Sequence, residues 1–325
     1  MSAAAAIAPA IAPEIAVSLV QVTAVLAGAP VLVGLMRQVR ARMEGRVGAG
    51  VLQPWRDLRK LLRKSPLDPE GTGPAYRTAP VLAVAVAALA AAAIPLAAAD
   101  TALGSGADLI AVVGLLALAG AALALAGLDT ATAFGGMGAS REMTITALAE
   151  PTILMAIFAL STRVGSTNLP AIVDAGAGNG AHLAAPSGLL AAVALAVVVL
   201  AETGRLPVDN PATHLELTMV HEAMVLEYSG PDLAMVELGA AMRLTVLLGL
   251  WTSLFIPWGI ATGSAGATAV ALGLGAFAAK TALLGALLAA AEVFMAKLRL
   301  FRVPELLAGS FLLAVLAVTT SFFLT

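Results

Sequence analysis

The chain has 325 residues, 60% of them hydrophobic and 12% charged, with a mean hydropathy of +0.96 and a formal net charge of −2. Charged residues stand at about half their usual share, and a soluble fold of this length keeps too much surface wet to hide so much apolar area. The near-neutral charge offers no field for nucleic acid; the absence of cysteine excludes disulfides, thiol catalysis and thiolate-held Fe–S clusters in this chain; three histidines leave little for a zinc or haem site.

A helix needs roughly 20 apolar residues to cross a hydrocarbon core of roughly 30 Å. Windows that qualify run near 14–36, 79–99, 107–128, 143–162, 186–203, 241–261, 268–291 and 304–324. The expectation is an all-α polytopic membrane protein of about eight transmembrane helices in one domain, with amphipathic helices in its cytoplasmic loops. The Ala-rich N-terminus has no basic residue before Arg37, so it lacks the charged start of a signal peptide. Residues 1–13 read as an extramembrane lead-in to a retained helix.

Orientation follows lysine and arginine, which collect in cytoplasmic loops. Ten of the 18 basic residues lie in 37–77, and Arg141, Arg205, Arg243, Lys297, Arg299 and Arg302 fall on the same side when eight helices are threaded. Only Arg163 falls opposite, and Lys280 sits within a helix. Both termini are therefore expected outside the cytoplasmic membrane, with loops 37–78, 129–141, 204–240 and 296–303 on the cytoplasmic side.

Within the first loop, LQPWRDLRKLLRKSP (52–66) places Trp55, Leu58, Leu61 and Leu62 at helical spacing among Arg56, Arg59, Lys60, Arg63 and Lys64. This is a basic amphipathic helix lying in the headgroup plane, serving as a topology anchor, a docking ledge or an entrance lip. In the loop 204–240, Asn210 and Pro211 read as the start of a helix to Tyr228, closed by Gly230 and Pro231. His214 and His221 would share one face, and Glu216 and Glu227 another, with Glu222 beside His221. Histidines and carboxylates at a membrane boundary are an inventory for proton relay, and equally for a solvated helix. The pair at 221–222 does not begin an HExxH motif, because Val225 stands where the second histidine belongs.

Glu142, Glu150, Glu202, Lys280 and Glu292 fall inside or at the edge of the spans. Charge there is costly unless paired or hydrated, which makes such residues candidates for function. Glu142 and Glu150 are separated by about 12 Å along one helix, a spacing for water-linked hops. Lys280 is expected to find an acidic partner in Glu150 or Glu202.

Three blocks, in order, resemble a known family. Residues 42–64, RMEGRVGAGVLQPWRDLRKLLRK, resemble the first loop of subunit 1, the quinone-site membrane component of respiratory complex I. Residues 134–151, FGGMGASREMTITALAEP, resemble its glycine-rich segment with a later Arg and Glu, and 202–228, ETGRLPVDNPATHLELTMVHEAMVLEY, resemble its acidic ET.R.PFD loop. The third block departs from the quinone-enzyme form, with Val208 in place of Phe, and Met43 and Glu44 also depart from it. It looks instead like the membrane-anchor component of energy-converting group 4 [NiFe] hydrogenases, such as formate hydrogenlyase or the CO-linked hydrogenase.

That resemblance implies a subunit, not itself catalytic, that docks a peripheral redox arm and relays charge or protons to antiporter-like membrane subunits. It implies hydrogenase large and small subunits and an Fe–S subunit as partners, with the NiFe centre and Fe–S clusters held there and no cofactor or metal in this chain. At matched positions it implies proton relay or coupling for Glu142, Glu150, Glu202, Asp209, Glu216 and Glu227. His221 and Glu222 belong to the hydrogenase-type form, and Lys280 joins the relay as an intramembrane charge. Arg42, Arg46, Gln53, Arg205 and His214 are expected at the docking face. The alternative is the quinone-site subunit 1 of an NADH-quinone oxidoreductase (complex I), with quinone in a cavity beneath the 204–240 loop. A stand-alone transporter would need an internal inverted repeat, and none is apparent; a pure scaffold would pump normally after Glu150 or Lys280 is neutralised.

Overall fold

The computed structural model describes residues 3–178, 185–209, 219–263 and 266–323, with side chains from residue 13 onward. Among the described residues the regular structure is helical: α1 (Ala3–Met43), α2 (Gln53–Leu61), α3 (Pro74–Ala93), α4 (Leu109–Asp129), α5 (Ala133–Val164), α6 (Leu169–Gly178), α7 (Pro186–Glu202), α8 (His221–Val225), α9 (Gly230–Phe255), α10 (Ala267–Phe294) and α11 (Val303–Phe323). Among the described residues, seven helices are long and apolar enough to cross a membrane. The expected 186–203 span is α7, shorter than those seven. The chain is an all-α, multi-pass membrane protein.

Several expected boundaries move, each for a local reason. Helix α1 begins at Ala3, ahead of the predicted window, and continues to Met43, so Arg40 and Arg42 extend from its last turn. The loop 129–141 shrinks to a turn, because the Thr132 side chain accepts the Gly135 N–H and starts α5 at Ala133. Gly230 and Pro231, read as a helix end, instead begin α9: proline suits a first turn, where its missing N–H costs nothing. Among the described residues of the helix expected over 211–228, α8 is the helical part: Met219 and Val220 precede it and Tyr228 lies beyond it. The stretch 210–218, with Asn210, His214 and Glu216, lies outside the described residues.

Helices α1, α3, α9 and α10 pack as one group and α4, α5, α7 and α11 as another, joined through α3 on α4 and α9 on α7. In α9, 67% of the apolar window is buried, against 28% in α10, so α9 is central and α10 peripheral. Alanine is the commonest residue of the buried core, as in Ala29, Ala90, Ala91, Ala149, Ala156 and Ala194, with leucine, valine and isoleucine making up most of the rest. Small residues let backbones approach closely where lipid leaves no hydrophobic drive to associate.

At one end lie α2 and the loops after α1, α4, α7 and α10. At the other, residues 94–108 and 256–263 leave the helices and tuck into the bundle. Leu96, Ala97, Ala98 and Ala99 there are at most 2% exposed. Ala99 N–H donates to Ala261 O and Ala261 N–H to Ala97 O, both at 2.9 Å. Buried Gln21 of α1 serves the same segment: its amide donates to Ala91 O and Ile94 O and accepts from Ala97 N–H and Ala98 N–H. Irregular backbone inside a bundle persists only when its polar groups are met in this way.

Candidate functional site

Helix α7 ends on Glu202, and the following turn carries Arg205, a cis Leu206–Pro207 peptide and Asp209. The buried Asp209 carboxylate accepts N–H groups of Val220 and His221, both at 3.3 Å, and meets Lys297 Nζ at 3.1 Å. Asp209 thus caps α8 and ties the 209 and 220 ends together; hydrogen bonds to a charged group contribute roughly 1.5–3 kcal/mol each. Arg141 of α5 holds the same strand, donating to Met219 O at 2.8 Å. The glycine-rich start of α5 lets α8 sit down: a Cβ on Gly138 would fall 2.9 Å from Val220 O and from Ala223 Cβ.

A chain of charges runs along this end. Arg46 pairs with Glu44, Glu44 with Arg40 at 3.0 Å, Arg40 with Glu292 at 4.0 Å, and Glu292 with Arg205 at 3.5 Å. Glu292 is 2% exposed, so its two arginines make its burial tolerable. Burial pulls Arg205 below the usual guanidinium value, and Glu292 opposes that pull.

Behind the turn lies a cavity of about 370 Å³ between α1, α2, α3, α4, α8 and α9. Its apolar lining includes Val33, Leu58, Val86 and Leu116, and its polar lining includes Glu202, His221, Glu222, Glu237 and Arg243. Arg243 donates to Glu202 in a buried ion pair, with side chains 13% and 4% exposed. Although one side of His221 meets the cavity, protein encloses it; that burial, aided by the positive charge of Arg243, holds its pKa below the ordinary imidazole value, against the pull of Glu222 and Asp209. Glu142 of α5 is buried behind the pair, with Arg243 and Asp209 the charges acting on it; Glu150 feels Glu202 and Arg243.

The predicted residues therefore divide. Glu202, Arg205, Asp209, His221 and Glu222 converge on the turn and cavity, with Glu142 and Glu150 behind them. Glu227 stands apart, where its carbonyl accepts the Tyr76 hydroxyl and Tyr228 stacks on Tyr76 with ring centroids 4.3 Å apart. Gln53 donates to Asp57 on α2, while Arg42 and Arg46 lie exposed. Lys280 is at the far end: its ammonium donates to Ile256 O at 2.9 Å and Trp258 O at 3.0 Å, at the C-terminus of α9. Neither Glu150 nor Glu202 is its partner; helix-end carbonyls satisfy the cation instead. Sequence reasoning missed Arg243, counted there as a loop charge, and the pairing role of Lys297. An arginine three residues into an apolar run was the available signal. Among the described residues no group of three His, Asp or Glu side chains converges as a metal site.

The sequence profile of the NADH dehydrogenase family matches residues 15–323. The chain is 34% identical to formate hydrogenlyase subunit 4 of Escherichia coli over 92% of this chain and 96% of that one. It is 32% identical to hydrogenase-4 component C of the same organism, covering 74% and 75%. It is also 31% identical to the H component of the NADH-quinone oxidoreductase of Anoxybacillus flavithermus, covering 68% and 67%. Among solved structures, a chain of the membrane-bound sulfane sulfur reductase, an archaeal respiratory membrane complex, shares the fold at a TM-score of 0.81 and 20% identity, over 94% of this chain and 98% of that one.

Proposed function

Because the chain belongs to the NADH dehydrogenase family, the complex I subunit 1 lineage, and is a membrane component of a hydrogenase-type or complex I-type assembly, we propose that it is the anchor and proton-coupling subunit of a membrane-bound [NiFe] hydrogenase complex. The extent of its likeness to formate hydrogenlyase subunit 4 favours the hydrogenase branch over the quinone-site one. Redox chemistry belongs to peripheral subunits that hold the NiFe centre and Fe–S clusters. They dock on the end bearing α2 and the turn after α7, on the cytoplasmic side, with both termini outside.

The observation that carries the coupling role is the buried Glu202–Arg243 pair at the meeting of cavity, turn and Glu142. A change of charge at the docked arm acts on groups in a low-dielectric setting, where Coulomb interactions reach further than in water. Glu202, Asp209, His221 and Glu222 receive that change, and Glu142 and Glu150 pass protons toward antiporter-like neighbours. The chain alone turns over nothing.

One observation favours a second reading: the cavity combines apolar walls with a few charged residues, a lining that would suit a quinone. Purification from membranes in mild detergent separates the two. A [NiFe] large subunit in the preparation, with H2 turnover using a viologen dye, supports the hydrogenase reading. An NADH-oxidising module with quinone reduction and no H2 turnover refutes it and moves the chain to the quinone-site branch.

A further inference from the structure

Helix α5 carries Ser140, Thr144, Thr146, Thr152, Ser161 and Thr162. Five of these hydroxyls donate to a carbonyl three or four residues back in the same helix. Thr146 does not, although it is 3% exposed; among the described residues its oxygen has no partner. Glu202 Oε1 and Arg243 Nε, on the ion pair, share that condition. Buried polar groups without protein partners are met by ordered water.

The three atoms belong to one neighbourhood. Gly120 of α4 faces both side chains: the position its Cβ would take lies 3.6 Å from each Arg243 Nη and 3.7 Å from Thr146 Oγ1. Glycine thus leaves a strip of space between guanidinium and hydroxyl. Arg243 and Glu202 also line the cavity, together with Leu116 and Ala119 of α4. Glu142, Thr146 and Glu150 follow at intervals of four residues, so they form one stripe on α5, about 6 Å apart along the axis.

We propose that Thr146 is a proton-relay residue, linking through bound water the Glu202–Arg243 pair at the cavity to Glu142 and Glu150 within the bundle. This inference rests on the proton-coupling reading above and names the path by which that site connects. A hydroxyl serves because it both donates and accepts. As its oxygen takes a proton from water on the Glu202 side, its own proton leaves to water on the carboxylate side. One O–H bond forms as another breaks, no electron moves, and rotation of the hydroxyl resets the link. Freedom from back-bonding to α5 is what permits that rotation.

The test uses the complete complex, purified with its partner subunits, reconstituted in liposomes and driven by a reduced low-potential dye, with lumenal pH read by fluorescence. Thr146→Val keeps the shape and removes the hydroxyl; it is expected to slow pumping by about tenfold or more and to raise the solvent deuterium isotope effect. Thr146→Ser is expected to restore both, which a packing role for the methyl group would not do. Gly120→Ala places only ordinary contacts against Arg243 and Thr146 yet fills the water strip, and should also slow pumping; it carries the test if Thr146→Val fails to assemble. Wild-type pumping in Thr146→Val, or in Gly120→Ala where the valine variant does not assemble, overturns the relay role of Thr146. Glu142→Gln tells that failure apart from failure of the coupling reading. If Glu142→Gln blocks pumping while Thr146→Val does not, only the Thr146 link falls; if all pump as wild type, the coupling reading falls with it.

Discussion

Replacing Arg243 by methionine leaves the Glu202 carboxylate inside the bundle, 4% exposed and without its counter-ion. Removing one partner of a buried pair costs about 3–5 kcal/mol, because the remaining charge has lost both water and its ion. The pair itself contributes less than that, since its Coulomb gain is set against desolvation of both groups. At roughly 2 °C per kcal/mol for a chain of this size, Arg243→Met should lower the unfolding midpoint by about 6–10 °C. The double variant Glu202→Gln/Arg243→Met removes both charges and should recover more than half of that loss. The chain has no cysteine, so one introduced at fully buried Ala194 is a unique reporter for a thiol-reactive dye during thermal unfolding in detergent. A single variant losing less than about 2 °C, or a double variant costing the sum of the two singles, refutes the coupled buried pair.

Gln21→Leu strips the partner from four backbone groups of the 91–98 segment and should cost about 1–3 kcal/mol for each group left dry, read as loss of hydrogen-exchange protection at 94–99. Gly138→Ala sets a methyl 2.9 Å from Val220 O, so α8 must shift; a cost of about 1–3 kcal/mol and faster proteolysis in 203–229, with α5 unaffected, is expected. His221 has a folded pKa below its ordinary 6.5, so the neutral form is the one the fold prefers. Its stabilisation is full above 6.5 and is lost as pH falls through the lower folded value. Protease accessibility of the 219–229 segment should therefore rise as pH drops below 6.5, and His221→Gln should flatten the profile; a flat wild-type profile refutes the assignment.

The class of the protein and its series of apolar helices were legible in the sequence because transfer from water to lipid is nearly a local sum over residues. The motif blocks likewise pointed to the turn after α7, with Arg205 and Asp209 in it, Glu202 at the end of α7 and His221 at the start of α8. Helix ends were less legible: Gly230 and Pro231 punctuate a stop and a start with the same chemistry, and only the packing of α9 chose the start.

What the tertiary structure alone decided was which side chains face one another. Hydropathy treats Arg243 as one charge near a boundary; rotation of the central helix aims it at Glu202, while peripheral α10 aims Lys280 at helix-end carbonyls. Thr146 looks like any hydroxyl in a membrane helix until its unused hydrogen bond and the space at Gly120 are seen together. Composition determines that buried polar groups must be paired; the contacts between helices determine with what, because partners 40 to 90 residues apart meet only when the bundle closes.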